Sequence, residues 1–251
     1  MEWFGLTDRG RVRPTNQDIY QIEAREDNQT VLLVVCDGMG GANAGNVASR
    51  FAAQSFMEAA RSALNDALDA QKRQTLLSYA LVQANDTVFS LAGRQPEFRG
   101  MGTTLVAALV QGEEATILNV GDSRAYLFDG TRLHQLTEDH SYVEEMRRQG
   151  RITEADARTH PQKNLITRAV GVEPDVDGDL FEARLAPGEI LLLCSDGVSH
   201  TLTLRQIRET MALSPQACCD KLEEEILAAG KPNQDNYTAI VLKYHGKGEG
   251  E

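Results

Sequence analysis

The sequence predicts an α+β fold in four layers, αββα, with two mainly antiparallel sheets packed face to face and pairs of helices outside. Short apolar stretches separated by turn residues predict strands that follow one another without crossover helices. Apolar residues spaced every three or four positions predict helices, and these come two at a time. A parallel sheet would instead require strict alternation of strand and helix.

The first predicted strand, 30–36, reads "TVLLVVC" and is apolar on both faces, as expected for a central strand. The period then changes to that of a helix over 46–68, with apolar residues at Ala48, Ala52, Phe56, Ala60, Leu64 and Leu68. A second helix follows directly, with apolar residues at Leu77, Leu81, Ala84, Val88 and Leu91.

Strands return over 102–136, where "GTTLVAALV", "EATILNVG", "SRAYLFDG" and "TRLHQL" are joined by short turns and predict one antiparallel meander. The segment at about 140–168 is polar, helix-prone and without a continuous apolar stripe, which predicts a mobile flap over the surface. Strands at 178–185 and 189–194 follow. Two helices within 204–229 and a strand at 237–244 complete the prediction.

The chain of 251 residues is predicted to form a single domain over 1–245, because it shows neither an internal repeat nor a Pro/Gly linker. A domain of this size buries roughly 70–75% of its unfolded surface. The last residues, 246–251, read "GKGEGE" and are predicted to be disordered.

The composition argues against several classes of partner and location. A net charge of −12 argues against nucleic acid as a partner, since phosphate backbones are bound through clustered Lys and Arg. No apolar run approaches the ~18 residues of a membrane span, and the first residues do not resemble a signal peptide, so a cytoplasmic location is expected. Four cysteines lack metal-ligand spacing and are expected to be reduced: Cys36, Cys194, Cys218 and Cys219.

Acidic residues stand where predicted strands end. Asp37 and Asp196 each close an apolar strand with an Asp-Gly pair, and Asp18, Asp122 and Asp235 lie beside other strands. Carboxylates gathered at one edge of the sheets would repel one another unless a multivalent cation lay between them. Ligation by oxygen favours Mg²⁺ or Mn²⁺. Such cations would also supply the positive charge that an anionic substrate requires.

The glycine-rich loop at 38–41 invites a dinucleotide-binding interpretation, which the spacing disfavours. The third glycine of that fingerprint should stand where the chain has Asn43, and a second helix follows where a parallel strand should come. A Walker-type phosphate loop is absent from the sequence.

Eight motifs in chain order carry a family resemblance: "GLTDRGRVRPTNQD", "VVCDGMGG", "MGTTLVAALV", "NVGDSRAYLF", "LTEDHS", "NLITRAVG", "LLLCSDGVS" and "QDNYTAIVL". From about Gly5 to Leu242 the sequence resembles the bacterial branch of the metal-dependent protein phosphatases of the 2C type. The resemblance implies hydrolysis of phosphoserine and phosphothreonine by direct attack of a water that two Mn²⁺ or Mg²⁺ ions activate.

The resemblance also implies a role for each matched residue. Asp37 bridges two metals, the Gly38 carbonyl binds one of them, and Asp196 and Asp235 bind the other. Asp18 holds metal-bound waters from the outer shell.

In the same way the resemblance makes Asp122 a ligand of a third, looser metal site, and makes Arg13 the group that grips the substrate phosphate. Arg13 and Asp37 are thus the expected catalytic residues. Segment 140–168 corresponds to the flap that shapes substrate access.

The implied partners are phosphorylated proteins, substrates of a bacterial serine/threonine kinase, and that kinase itself; neither nucleic acid nor membrane is expected, and the chain is expected to be a monomer. Two alternatives stay open. One is a non-catalytic phosphoprotein- or kinase-binding module on the same fold. The other is a metal phosphodiesterase, which shares the ion chemistry.

The sequence departs from the family pattern at Gln17, Met39, Ala42 and the pair 233–234, and the change at Gln17 is expected to loosen one ion. Arg124 in "GDSR" is a candidate for phosphate binding, but on a strand it is expected to be an ion-pair partner. Surface or packing roles are expected for His134, His160, His200 and His245. His140 and His160 flank the flap and are candidates for contact with the substrate.

Overall fold

A computed structural model describes residues 1–41, 44–64 and 67–246. Two antiparallel sheets lie face to face, and helices cover the outer face of each sheet. The predicted four-layer α+β fold is therefore confirmed. Ala42 and nearly all of the predicted tail at 246–251 lie outside the described residues.

The first sheet has five strands. In spatial order they are β1 (Glu2–Asp8), β11 (Tyr237–Lys243), β10 (Ile190–Cys194), β7 (Arg124–Phe128) and β8 (Leu133–Gln135). The second sheet orders β2 (Asp18–Ala24), β3 (Thr30–Met39), β5 (Leu105–Gln111), β6 (Glu114–Val120) and β9 (Asp179–Arg184), and the short β4 (Gly102–Thr103) pairs with the end of β3.

Two helix pairs form the outer layers. The second sheet is covered by α1 (Ala44–Ala60) and α2 (Ala70–Arg94), and the first by α6 (Leu204–Thr210) and α7 (Pro215–Ala229). Three shorter helices lie near the strand ends: α3 (Tyr142–Arg148), α4 (Glu154–Thr159) and α5 (Asp196–Ser199). Within the described ranges no helix is both long and apolar enough to cross a bilayer.

Both faces of strand β3 are apolar because each of them packs against a hydrophobic core. Leu32 and Val34 pack against α1 and α2, whereas Val31, Leu33 and Val35 pack between the two sheets, and all five are fully buried. Burying a side chain of this kind contributes roughly 1.5–3 kcal/mol. The apolar core on both sides holds the end of β3, and hence Asp37, in a fixed place.

All four cysteines are buried and free, as expected from the sequence. Burial raises the pKa of the Cys194 thiol to about 12, and the charge of Arg124 opposes this shift. None of the four is therefore a thiolate nucleophile near neutral pH.

The predicted meander over 102–136 is wrong in one respect, because the chain changes sheet in its middle. Strands β5 and β6 belong to the second sheet, whereas β7 and β8 belong to the first. Gly121 makes the change with φ +103, and a Cβ at this position would overlap the Thr104 side chain. The crossing places Asp122 between the edges of the two sheets.

Two strands, β1 and β2, were not predicted, and one helix ends earlier than predicted. Strands β1 and β2 are edge strands with mixed, half-buried faces, so their sequences lack the apolar run of a central strand. Helix α1 ends at Ala60, ahead of the predicted end near residue 68, and tightens into a 3₁₀ turn at Arg61–Leu64.

The flap segment is anchored at both ends. The Thr167 N–H donates to the His140 carbonyl at 2.8 Å, and the Tyr142 N–H donates to the Leu165 carbonyl at 2.8 Å. Between these ends lie α3 and α4, and Val143 of α3 is buried. The mobility of the segment stays a prediction.

Candidate active site

The five predicted aspartates meet at one end of the two sheets. Asp37 lies near the end of β3, opposite Asp18 in the register of β2 and β3. Asp196 begins α5 just after β10, and Asp235 comes shortly before β11. Burial raises the pKa of Asp37 well above its ordinary value, and the charges of the other four, Asp122 included, raise it further.

The backbone of Asp37 is held by two threonines after β4. Its N–H donates to Thr104 Oγ1 at 2.9 Å, and its carbonyl accepts from the Thr104 N–H and from Thr103 Oγ1, both at 2.9 Å. The carboxyl group also lies near enough to Asp196 to lower the pKa of that residue as a hydrogen-bond partner. Asp37 is thus fixed at the centre of the acidic cluster.

Asp18 lies opposite Asp37 in the register of β2 and β3, and its two carboxylate oxygens have different environments. Its Oδ2 accepts from Ser195 Oγ at 2.7 Å, and Ser195 Oγ accepts in turn from the Thr238 N–H at 3.0 Å. Its Oδ1 is buried, with no hydrogen-bond partner among the described residues. Burial raises the pKa of Asp18 to about 7, although the bond from Ser195 opposes this. A buried oxygen without a donor is suited to a metal-bound water.

Gly38 approaches the first turn of α1 closely. Its N–H donates to the Gln17 carbonyl at 3.0 Å, and a Cβ on Gly38 would overlap the Gly45 carbonyl oxygen. The position therefore requires glycine for reasons of space. The Gln17 side chain lies against Gly45, which places this departure from the family pattern beside the cluster.

Arg13 reaches the cluster through Asp235. Its Nη2 lies 2.7 Å from Asp235 Oδ2, and its side chain is 49% exposed. The structure therefore brings Arg13 together with the aspartates. Because half of the guanidinium side chain faces solvent, it remains accessible to a ligand.

Asn236 fixes the loop that carries Arg13, a role that the sequence analysis missed. Its Nδ2 donates to the Arg9 carbonyl at 2.9 Å and to the Thr15 carbonyl at 3.0 Å, and its Oδ1 accepts from the Gln17 N–H at 2.9 Å. The available signal was the position of this residue directly after Asp235 in "QDNY".

His200 also lies in the cluster, contrary to the expectation of a packing or surface role. One ligand atom from each of Asp122, Asp196 and His200 falls within 4.8 Å of the others, and His200 Nδ1 is 3.0 Å from Asp196 Oδ2. Although burial acts to raise the pKa of Asp196, the hydrogen bond and charge of His200 lower it overall. The signal in the sequence was the i,i+4 spacing from Asp196.

Asp122 and Arg124 have different environments although they are two residues apart. Burial raises the pKa of Asp122 to about 7, and the charge of Asp196 adds to the effect. Arg124 makes a two-pronged ion pair with Asp139, at 2.8 and 2.6 Å, which confirms its expected role.

The remaining histidines lie away from the acidic cluster. His140 is buried and its Nδ1 accepts from the Gly121 N–H at 3.0 Å, so it packs behind the turn that carries Asp122. His134 pairs with Asp129, and His245 lies near Glu2. His160 lies against the Tyr142 ring within the flap.

A cavity of about 630 Å³ lies between the flap and the segment 200–204 that follows α5. Charges of both signs line it, including Glu144, Arg147, Lys163, His200 and Lys231. Lys231 Nζ donates to the His200 carbonyl. Burial lowers the pKa of Lys231, and the charge of Lys163 lowers it further. The cavity reaches the acidic cluster at His200, which lines it and pairs with Asp196.

The donor set fits divalent metal ions. The cluster offers carboxylate oxygens that repel one another, a backbone carbonyl and one buried carboxylate oxygen without a donor. Hard cations such as Mg²⁺ and Mn²⁺ prefer these ligands. Arg13, which pairs with Asp235, brings one positive charge to a cluster of five carboxylates.

Comparison with known proteins gives consistent matches over the chain. The family model described as Protein phosphatase 2C matches residues 11–229. The chain is 38% identical over 238 residues to serine/threonine phosphatase stp of Listeria monocytogenes, covering 94% of this chain and 93% of that relative.

Solved structures agree with the sequence matches. Serine/threonine phosphatase Stp1 from Staphylococcus aureus superposes with a TM-score of 0.88 at 34% identity, over 98% of this chain and 95% of that one. The catalytic domain of serine threonine protein phosphatase PstP, in complex with two manganese ions, gives a TM-score of 0.81 at 32% identity, over 96% of each chain.

Proposed function

The chain belongs to the protein phosphatase 2C family and is a protein serine/threonine phosphatase, and we propose that it uses Mn²⁺ or Mg²⁺ to hydrolyse phosphoserine and phosphothreonine. The observation that carries the metal dependence is the buried cluster around Asp37, where burial raises the pKa of Asp37 and four neighbouring carboxylates raise it further. Bound divalent cations would relieve this repulsion. The manganese ions of the PstP structure support the same choice of ion.

We assign the metal ligands from this cluster. Asp37 would hold both core ions, the Gly38 carbonyl would bind one, and Asp196 and Asp235 would bind the other. Asp18 would hold waters from the outer shell, through the buried Oδ1 that lacks a donor. When bound, the ions supply an activated water for direct attack on phosphorus and neutralise the phosphoryl oxygens.

Arg13 would bind the phosphoryl group of the substrate. Its planar guanidinium can donate to two phosphate oxygens at once. In the structure it donates to Asp235 at 2.7 Å, so the substrate would take the place of that carboxylate. Asn236 holds the loop through three hydrogen bonds and thereby orients Arg13.

We further propose how the protein meets its substrates. The cavity beside the flap, 140–168, would receive the segment that carries the phosphorylated residue. The substrates would be proteins phosphorylated by a bacterial serine/threonine kinase, including the kinase itself. A single domain over 1–245, acting as a monomer in the cytoplasm, is sufficient for this role.

A phosphate-release assay tests the proposal. With Mn²⁺, the protein is expected to release phosphate from a phosphothreonine peptide, to lose this activity with a chelator, and to regain it when Mn²⁺ returns. Activity that persists in the chelator would contradict the metal dependence. No release under any condition would favour a binding module, and preference for bis(p-nitrophenyl) phosphate would favour a phosphodiesterase.

Mn²⁺ is also expected to stabilise the fold. An ion at about 100 times its dissociation constant contributes about 2.7 kcal/mol, which raises the melting temperature of a chain of this size by roughly 5–10 °C. Differential scanning calorimetry with and without Mn²⁺ measures the shift. Asp129→Asn, which changes an exposed Asp-Gly turn away from the cluster, should shift as the wild type does. An unchanged melting temperature in excess Mn²⁺ would contradict the assignment.

A further inference from the structure

We propose that His200 is a nitrogen ligand of a third divalent ion, together with Asp122 and Asp196, and that it makes this site prefer Mn²⁺ to Mg²⁺. The inference rests on the proposed metal dependence and goes beyond it, because it concerns a histidine that the core ions do not use. The sequence analysis assigned only Asp122 to a third site.

The geometry of the three side chains is that of a metal site. One ligand atom from each falls within 4.8 Å of the other two. His200 Nδ1 and Asp196 Oδ2 are 3.0 Å apart. This pair is a hydrogen bond in the structure, and two adjacent ligands of an octahedral ion, each about 2.1 Å from the metal, are also separated by about 3.0 Å, so a metal ion could replace the shared proton without moving the two side chains apart.

Asp122 provides a second, independent observation. The residue is only 5% exposed, and within the described ranges no hydrogen bond or ion pair to its carboxylate is found, although the charges of His200 and Arg124 act on it. A buried carboxylate without a partner is costly. A cation held jointly with Asp196 and His200 would satisfy it.

The backbone holds His200 in position. The His200 N–H donates to the Asp196 carbonyl at 2.7 Å, which closes the turn of α5 and places the two side chains on one face. Lys231 Nζ donates to the His200 carbonyl from the other side. The side chain is three-quarters buried, so its ring is confined near the two carboxylates.

The nitrogen donor sets the choice of ion. Mg²⁺ binds almost only oxygen ligands, whereas a transition-metal ion such as Mn²⁺ also accepts imidazole. A site made of carboxylates alone would bind either Mg²⁺ or Mn²⁺. Replacing one oxygen donor by the His200 ring should therefore weaken Mg²⁺ at the third site more than Mn²⁺.

Electron spin echo envelope modulation on the Mn²⁺-loaded full chain tests the inference directly. We expect three bound Mn²⁺ ions and a ¹⁴N modulation from a directly bound imidazole. His200→Asp should keep the third ion through an oxygen ligand and lose the modulation. His200→Asn should lose the modulation and weaken the third Mn²⁺ by about tenfold or more, since even an outer partner of a ligand is worth 10–100-fold.

Competition between the ions gives a second readout. The ratio of the Mg²⁺ and Mn²⁺ dissociation constants at the third site should fall by about tenfold in His200→Asp. His134→Asn is the matched control, because His134 also pairs with an aspartate but lies on β8. It should leave the modulation and the ratio unchanged. The metal-free melting temperature of each variant checks that it folds.

Each other outcome overturns the inference in a recognisable way. Three bound ions without a ¹⁴N modulation would show that His200 is not a ligand, and a modulation that survives in His200→Asp would assign the nitrogen elsewhere. Two bound ions would show that there is no third site. If no Mn²⁺ binds, the proposed metal dependence fails as well.

Discussion

Asp37→Asn is expected to lower kcat/KM on a phosphothreonine peptide by about a thousandfold. Removing a shared ligand should cost several kcal/mol of transition-state stabilisation, and each 1.36 kcal/mol is a factor of ten. The substitution keeps the size of the side chain and its backbone bonds to Thr103 and Thr104. A steady-state assay in saturating Mn²⁺ measures the loss.

The same variant should be more stable than the wild type when no metal is present, because it removes a carboxylate whose charged form is disfavoured by burial and by four neighbouring aspartates. It should also lose most of the stabilisation by Mn²⁺. Asp129→Asn, at an exposed turn, is the control: it is not expected to gain stability without metal, because Asp129 accepts hydrogen bonds from Thr131 and Arg132, and it should keep the full stabilisation by Mn²⁺. Near-normal activity in Asp37→Asn would mean that the carboxylate holds no catalytic ion.

Arg13→Ala is expected to lower kcat/KM by about a hundredfold. Hydrogen bonds to a charged partner contribute about 1.5–3 kcal/mol, and the larger value corresponds to roughly a hundredfold. Arg13→Lys should recover only part of the loss, because an ammonium group cannot form the planar two-point contact. The assay should separate kcat from KM across the three proteins.

A second exposed Arg–Asp pair provides the control for Arg13. Arg25 lies 3.3 Å from Asp27 and is as exposed as Arg13, but it is remote from the cluster. Arg25→Ala should therefore leave kcat/KM unchanged. Mn²⁺ binding should survive in Arg13→Ala, since Asp235 is then free of its cationic partner. Equal losses in both variants would contradict a phosphate-binding role for Arg13.

The layers of the fold were predictable because apolar patterns report burial directly. The run in β3 and the period of α1 and α2 follow from which faces the core covers. The edge strands β1 and β2 were not predicted, because both are only partly buried and so lack a continuous apolar run. The change of sheet at Gly121 was not predicted either. A tight turn has the same kind of sequence whether the two strands that it joins pair with each other or belong to different sheets.

The site residues that stand at the ends of buried strands were predictable. Asp37 and Asp196 were recognisable because an acid at the end of a buried strand needs a partner. His200 was not, because its proximity to Asp122 depends on how α5 turns after β10 and on how the chain crosses at Gly121. The contacts of Asn236 likewise join segments that are more than 200 positions apart in the sequence.

The central claim is that Asp37, Gly38, Asp196 and Asp235 hold two divalent ions. Anomalous diffraction at the manganese edge, from crystals of the full chain grown with Mn²⁺, tests it most directly. The account predicts two strong peaks roughly 3.5–4 Å apart, with Asp37 bound to both. Peaks only elsewhere, or none among these residues in excess Mn²⁺, would contradict it.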